Sequence, residues 1–303
     1  MTRTTPDLRL ELARLTPTFQ QSFRRAVRLH PRRVAAPEGP AISKVGCYFL
    51  WPAAEAWPIC HDHEPEYRDN SVHNEPFVPL LQLLRNDFPE FPFPTACDIF
   101  QLLLCPWGHA NDAQLPGWKV YWRESQRCGP ILEVFPQASF NRAHECSLSP
   151  EVIDDMPSWT ELAEDGESEY DCARRLLGDN APEAFINLNG GAAPGLKLFG
   201  WPLWIQYPAT PSCSCGRRMA PLLSITSGEF QDPSAKFWCP LEDQAEHESS
   251  MAAYWQLRNP SRYDEFAKHS YPFRFDIGDC GSIYLFFCAD CPGPKIEAVI
   301  QFS

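Results

Sequence analysis

The chain has no apolar run approaching the roughly 18 residues of a membrane-spanning helix, so no membrane segment is expected. Its opening residues, MTRTTPDLRLEL, lack the apolar stretch and small-residue cleavage site of a secretory signal. A soluble protein of the cytoplasm, without membrane contact, is the expectation. Basic residues are scarce: 26 Lys and Arg stand against 39 Asp and Glu, a formal net charge of −13. Phosphate affinity rests on clustered cations, so nucleic-acid binding is not expected. Enzyme signatures are missing too. The sequence contains no G-x-x-x-x-G-K-[ST], no G-x-G-x-x-G, no H-E-x-x-H and no G-x-S-x-G.

Proline, aromatic residues and cysteine are plentiful. The 303 residues include 31 Pro and 13 Cys, with 44% apolar and 13% aromatic residues. That is enough apolar material for a sizeable core, broken by many turns, which excludes a helical bundle and a disordered chain. An odd cysteine count without an export signal argues against a disulfide framework and makes metal ligation the main alternative to inert buried thiols. Cys47, Cys97, Cys128, Cys146, Cys172, Cys239 and Cys280 are scattered singly; the remaining cysteines fall in tight clusters with turn-forming neighbours.

The expected fold class is α+β: mostly antiparallel strands in two pseudo-repeats, with short helices and zinc knuckles. Residues 1–43 read as an N-terminal helical arm, with Thr16 and Pro17 as N-cap and first helical position and Phe19, Phe23 and Val27 at helical spacing. Arg24, Arg25, Arg28, Arg32 and Arg33 give this arm a basic patch. It reads as a solvated face, with an anionic partner as the competing reading. From residue 44 to 303 short apolar runs alternate with Pro, Gly, Asn and Asp, predicting strands at 76–84, 98–105, 118–124, 221–226, 282–288 and 295–302. Residues 145–183 are strongly acidic and read as a solvated connector carrying short helices at 158–164 and 168–177.

The two halves, about 44–140 and 190–303, run through the same series of elements. A Lys-led strand with a Trp-Pro step opens each: KVGCYFLWP (44–52) and KLFGWPLW (197–204). A Pro-flanked cluster follows, WPICHDH (57–63) and TPSCSCG (210–216). Next come PLLQLL (79–84) and PLLSIT (221–226). The last strand of each ends in a second cluster, DIFQLLLCPWGH (98–109) and GSIYLFFCADCPG (281–293).

In the second half, Cys213 and Cys215 lie on a turn before a strand, and Cys288 and Cys291 on a turn after one. Strand pairing would bring the turns side by side and supply four thiolates, the tetrahedral set that structural Zn²⁺ prefers. In the first half, Cys60 with His63 would pair with Cys105 and His109, a mixed N/S set of the same count. His61 is an alternative to His63. Closed four-ligand sites leave no position for substrate water, so both read as structural.

At these residues the chain resembles a bacterial domain-of-unknown-function family, the YwqG-like proteins. The resemblance rests on GWPLWIQYP (200–208), CSCGRRMAPLLSI (213–225), FDIGDCGSIYLFFCADCPG (275–293) and the segment 57–109. Gly200, Trp204, Gln206, Cys215, Gly216, Met219, Gly278, Asp279, Gly281, Tyr284 and Phe286 stand at matching positions. Phe199 replaces the first of two glycines common before the Pro. The resemblance covers residues 44–303 and implies a cytosolic α+β protein of duplicated antiparallel strands. The Trp-Pro-Leu-Trp segment (201–204) with cysteine knuckles is also similar to the programmed-cell-death-2 proteins, which implies protein binding.

The expected role is therefore a zinc-stabilised, cytoplasmic factor that binds a protein partner, of accessory or immunity type. The competing reading is an acid–base or hydrolytic enzyme using Asp276 and Asp279, two carboxylates close enough to split their pKa values. Asp beside Gly more often caps a tight turn.

Overall fold

A computed structural model of the chain describes residues 2–7, 21–36, 38–61, 74–109, 115–139, 142–178, 191–231, 234–257, 263–278, 280–293 and 295–302. In chain order the strands are β1 (Arg24–Arg28), β2 (Arg32–Arg33), β3 (Lys44–Val45), β4 (Ile59–Cys60), β5 (Glu75–Pro76), β6 (Val78–Leu84), β7 (Ile99–His109) and β8 (Leu115–Arg123). They continue with β9 (Cys146–Ser147), β10 (Glu151–Asp155), β11 (Lys197–Phe199), β12 (Ala220–Thr226), β13 (Ser282–Cys288) and β14 (Lys295–Gln301). The fold is α+β, and the strand pairings are antiparallel.

Two compact units divide the chain. The first comprises residues 1–30, 149–271 and 280–303 and holds a six-stranded sheet in the order β10-β1-β11-β12-β13-β14. The second comprises residues 31–148 and 272–279, with a six-stranded sheet in the order β2-β9-β3-β6-β7-β8 and the small β4–β5 pair. Among the described residues no helix is long and apolar enough to cross a membrane.

The long strands form where apolar runs are bounded by Pro and Gly. SIYLFFC is buried on both faces along most of its length, and β13 is hydrogen-bonded on both edges, to β12 and β14. Register shifts fall beside strand prolines, between Pro221 and Leu223 in the first sheet, and between Pro79 and Leu81 and across Pro106, between Leu104 and Gly108, in the second. Proline has no N–H to donate to the ladder, so a bulge is the local solution. The helices Trp159–Leu162 and Glu169–Leu177 match the sequence expectation, each begun by a serine (Ser158, Ser168) whose hydroxyl accepts an N–H of the first turn.

The expected helix through Phe23 and Val27 is not formed; Arg24–Arg28 is β1. Its burial runs from two exposed arginines to three buried residues, and it is hydrogen-bonded on both sides, to β10 and β11. Partners more than a hundred residues away override a local 3.6-residue spacing. Thr16 and Phe19 lie outside the described residues. Residues 3–5 are tied into the first unit: the Arg3 guanidinium is 3.1 Å from Asp243, and Thr4 donates to the Glu242 carboxylate through both N–H and hydroxyl.

The acidic stretch is also more than a solvated connector, because β10 lies within it. Asp155 is fully buried and accepts from Lys197 Nζ at 2.7 Å and from the backbone N–H groups of Ala193 and Trp201 at 2.8 Å each. Glu151 accepts from the Thr5 N–H and hydroxyl and lies 2.8 Å from the buried His30 Nε2. Burial works to raise the Glu151 pKa, but these hydrogen bonds outweigh it and hold the carboxyl at about 2, against 4.5 ordinarily. A carboxyl depressed on folding stabilises the protein above its unfolded pKa, and that contribution is lost as pH falls toward the folded one. Glu151→Gln should therefore destabilise at neutral pH by about 2–3 kcal/mol, with the difference closing between about pH 5 and 2. Urea unfolding of both proteins across that range checks it; a difference independent of pH would contradict the assignment.

Gly200, with φ +71°, sits against this buried acid: a Cβ there would come within 2.3 Å of Asp155 Oδ2 and 2.8 Å of the Ala26 Cβ. Gly200→Ala should cost a few kcal/mol, on the order of 3, since both the backbone conformation and the space oppose a side chain. Thermal unfolding measures it, and a near-native midpoint would count against this packing.

Candidate metal centre

The first unit gathers Cys213, Cys215, Cys288 and Cys291 so that their four sulfurs all lie within 4.8 Å of one another. Two hairpins supply them. Pro211 to Met219 forms a tight loop closed by Cys213 N–H to Arg217 O, Gly216 N–H to Cys213 O and Met219 N–H to Pro211 O. Gly216 takes φ +83° on an open face, relieving the sharp C-S-C-G turn. Cys288 is the last residue of β13, and Cys291 lies on the turn leading into β14. Because β12 and β13 pair along their length, the loop before one strand faces the turn after the other. Cross-links on the surface hold the two together: Lys295 Nζ donates to Ser214 Oγ at 2.8 Å, and the Arg217 guanidinium lies 3.6 Å from Asp290.

Cys213 Sγ is 3.7 Å from Cys291 Sγ, and Cys215 Sγ is 3.6 Å from Cys288 Sγ. A disulfide would need about 2.05 Å. The edge of a tetrahedron around an ion with bonds of about 2.3 Å is about 3.8 Å, so the thiols stand at coordination spacing. Each hairpin also turns an N–H onto a sulfur two residues back, Cys215 onto Cys213 and Asp290 onto Cys288. The first of these, helped by neighbouring thiols, brings Cys213 down to about 6. Cys291, hydrogen-bonded with the other three, is pushed up to about 12. At Cys288 burial and the Cys215 and Cys213 thiols prevail over the Asp290 N–H and raise the pKa. Without a cation the group shares its protons; four thiolates together require a dication.

Trp204, Met219, Tyr284 and Phe286 form the floor beneath the cysteines. The Trp204 ring stacks on Phe286 with centroids 6.0 Å apart, and its indole N–H donates to Glu161 at 2.7 Å. The Tyr284 hydroxyl donates to the Leu203 carbonyl. These residues anchor the loop carrying the first two cysteines to the strand carrying the third.

The predicted first-half set is placed in part. Cys60 and Cys105 are buried in one cluster with Trp51, Trp57, Phe77 and Phe135. Burial drives the Cys105 pKa well above the thiol range; the Trp107 N–H opposes it and the Cys60 thiol adds to it. His63 lies outside the described residues, as does the side chain of His109. His61, the alternative, is exposed and 2.7 Å from Asn74 Oδ1. His73-Asn74-Glu75 is the chain's one His-x-Glu step, a proton-shuttle spacing in zinc deaminases. Glu75 is buried and accepts from the Ser139 N–H and hydroxyl, so its carboxylate is committed to structure.

The acid pair of the enzymatic reading is not assembled among the described residues. Asp276 is exposed in a segment outside the strands whose alternate residues Phe273, Phe275 and Ile277 are buried, and Asp279 lies outside the described residues. Compared with known protein families and with curated proteins, the chain matches none.

Proposed function

We propose that Cys213, Cys215, Cys288 and Cys291 hold one structural zinc ion, and that the protein is a cytoplasmic interaction factor of accessory or immunity type. The observation carrying the zinc reading is the pair of 3.6–3.7 Å sulfur separations across two hairpins that the sheet itself brings together. Four thiolates are the soft, closed donor set that zinc prefers, with no position left for a substrate water. None of the 13 cysteines is in a disulfide, which supports a reducing compartment.

Membership of the YwqG-like family is part of the same proposal, and the motif residues have physical reasons that support it. Gly200 makes room for Asp155, Gly216 turns the knuckle, and Trp204, Met219, Tyr284 and Phe286 floor the metal centre. Duplication belongs to it as well. Lys44 and Lys197 are both fully buried, each 2.7 Å from an acid, Glu145 and Asp155 respectively. Two residues on, Gly46 and Cys47 have φ +70° and +61°, and Phe199 and Gly200 have +60° and +71°. Under this reading the Lys-led strand of each half pairs antiparallel with a strand from outside the halves, β11 with β1 and β3 with β9.

The interaction role is tested with the untagged, zinc-replete protein immobilised at low density against a lysate of its own source. A stoichiometric protein partner is expected. Recovery of none, with hydrolysis of a generic ester or phosphate substrate by the same preparation, would favour the enzyme.

A further inference from the structure

Beside the metal centre the first unit opens into a cleft of about 510 Å³ whose charge runs against that of the whole chain. Arg24, Arg25 and Arg218 line it, with Glu161 as the one acid, on a protein of net charge −13. Glu161 is already engaged, accepting from the Trp204 indole at 2.7 Å and lying 3.6 Å from Arg218. The Arg24 guanidinium lies over the Trp201 ring, 3.2 Å from its centroid. Trp201 is itself fixed, by its indole N–H to Ser22 O and its backbone N–H to Asp155, both at 2.8 Å. Burial lowers the Arg24 pKa, and the nearby charge of Arg218 lowers it further, against the pull of Glu161 and Asp155. Three arginines and one carboxylate line the cleft, so the charge of its lining side chains is positive. Phe199, Met219 and Phe287 supply an apolar wall among them.

We propose that this cleft binds an acidic segment of a partner protein, its carboxylates meeting Arg25 and Arg218 and an apolar side chain lying on the Phe199–Met219–Phe287 wall. The proposal rests on the interaction reading above and names the chemistry of the partner. Charge complementarity argues for it: guanidinium groups pair carboxylates in two-point fashion, and an aromatic-backed arginine is held in place for that contact. Arg218 and Met219 follow the knuckle cysteines directly, so zinc would fix one wall of the cleft.

The test uses the full chain with its metal content verified, and a short fluorescein-labelled peptide of alternating Glu and Leu followed by anisotropy. A Lys–Leu peptide of the same length, inorganic phosphate and anionic vesicles are the comparison probes. The Glu–Leu peptide should bind at least about tenfold tighter than the Lys–Leu peptide, weaken with salt, and resist millimolar phosphate. Arg25→Glu and Arg218→Glu should each weaken it by about tenfold or more, whereas Arg127→Glu, an exposed arginine of the second unit, should not. Arg218→Glu could disturb the knuckle; Arg25→Glu lies on β1 and separates charge from metal loss. Equal binding of both peptides, competition by phosphate at equal strength, preference for the vesicles, or indifference to Arg25→Glu would overturn the proposal. A protein partner captured from lysate whose binding ignores both reversals would overturn the cleft and leave the interaction role standing.

Discussion

Cys288→Ser is expected to abolish metal binding and to lower the unfolding midpoint of the first unit by at least about 10 °C. Cys288 is buried at the end of a central strand, over Trp204 and Phe286, and its sulfur faces Cys215. A serine hydroxyl is a poor zinc ligand at neutral pH, so three thiolates remain around an ion that needs four. Structural zinc supplies about 10–16 kcal/mol of apparent binding free energy in small peptides. The first unit has a core of its own, so the loss is bounded by a total stability of about 5–15 kcal/mol. At about 2–4 °C per kcal/mol for a body of this size, a loss of 4 kcal/mol or so already gives the expected shift. Cys215→Ser separates ligation from packing, because Cys215 is exposed and its removal leaves the floor untouched. Both variants should lose zinc, and neither should respond to a chelator that destabilises the parent. Cys280→Ser, at an exposed single cysteine, should keep metal and midpoint. Near-native melting of Cys215→Ser and Cys288→Ser together would remove the metal from the account of stability.

Asp155→Ala should be as damaging without touching the metal. It removes the acidic partner of a fully buried lysine, with the Lys197 ammonium 2.7 Å away, and strips two backbone N–H groups of their acceptor. Breaking a buried pair by deleting one member costs about 3–5 kcal/mol, and each orphaned N–H adds about 1–3. The variant is expected to be unfolded or largely so at 37 °C. Lys197→Met should be milder, because Asp155 keeps both N–H donors and an apolar chain replaces a costly buried cation. Urea unfolding of the two variants gives the order; equal destabilisation would mean that the ion pair, not the N–H bridging, dominates the site.

The four-cysteine cluster was legible because its signal is local. Cysteines two and three positions apart, on turns flanking apolar strands, carry their geometry with them, and the pairing of 221–226 with 282–288 follows from two adjacent strands in one sheet. The buried acid was not legible. Glu151 and Asp155 sit among many solvated carboxylates, and only β10, paired with β1 far upstream so that Ile153 stands opposite Ala26, turns them toward His30 and Lys197. Arg24–Arg28 failed for the same reason: Phe23 and Val27 have helical spacing, yet the strand is set by β10 and β11. The helix Gln244–Leu257 lies outside every sequence expectation, although its Ala, Glu, Gln and Met content favours a helix. Arg24 and Arg25 carried a hint of an anionic partner in their charge alone; Trp201 and Arg218, which complete the cleft, lie far along the chain and join it only through the sheet.

The most direct test of the central claim is elemental analysis of the untagged, gel-filtered protein for zinc and iron per chain. At least one zinc is predicted, retained by Arg25→Glu and lost from Cys215→Ser. A second zinc would place another ion with Cys60 and Cys105. A metal-free, folded protein whose Cys213, Cys215, Cys288 and Cys291 all titrate as free thiols would contradict the account.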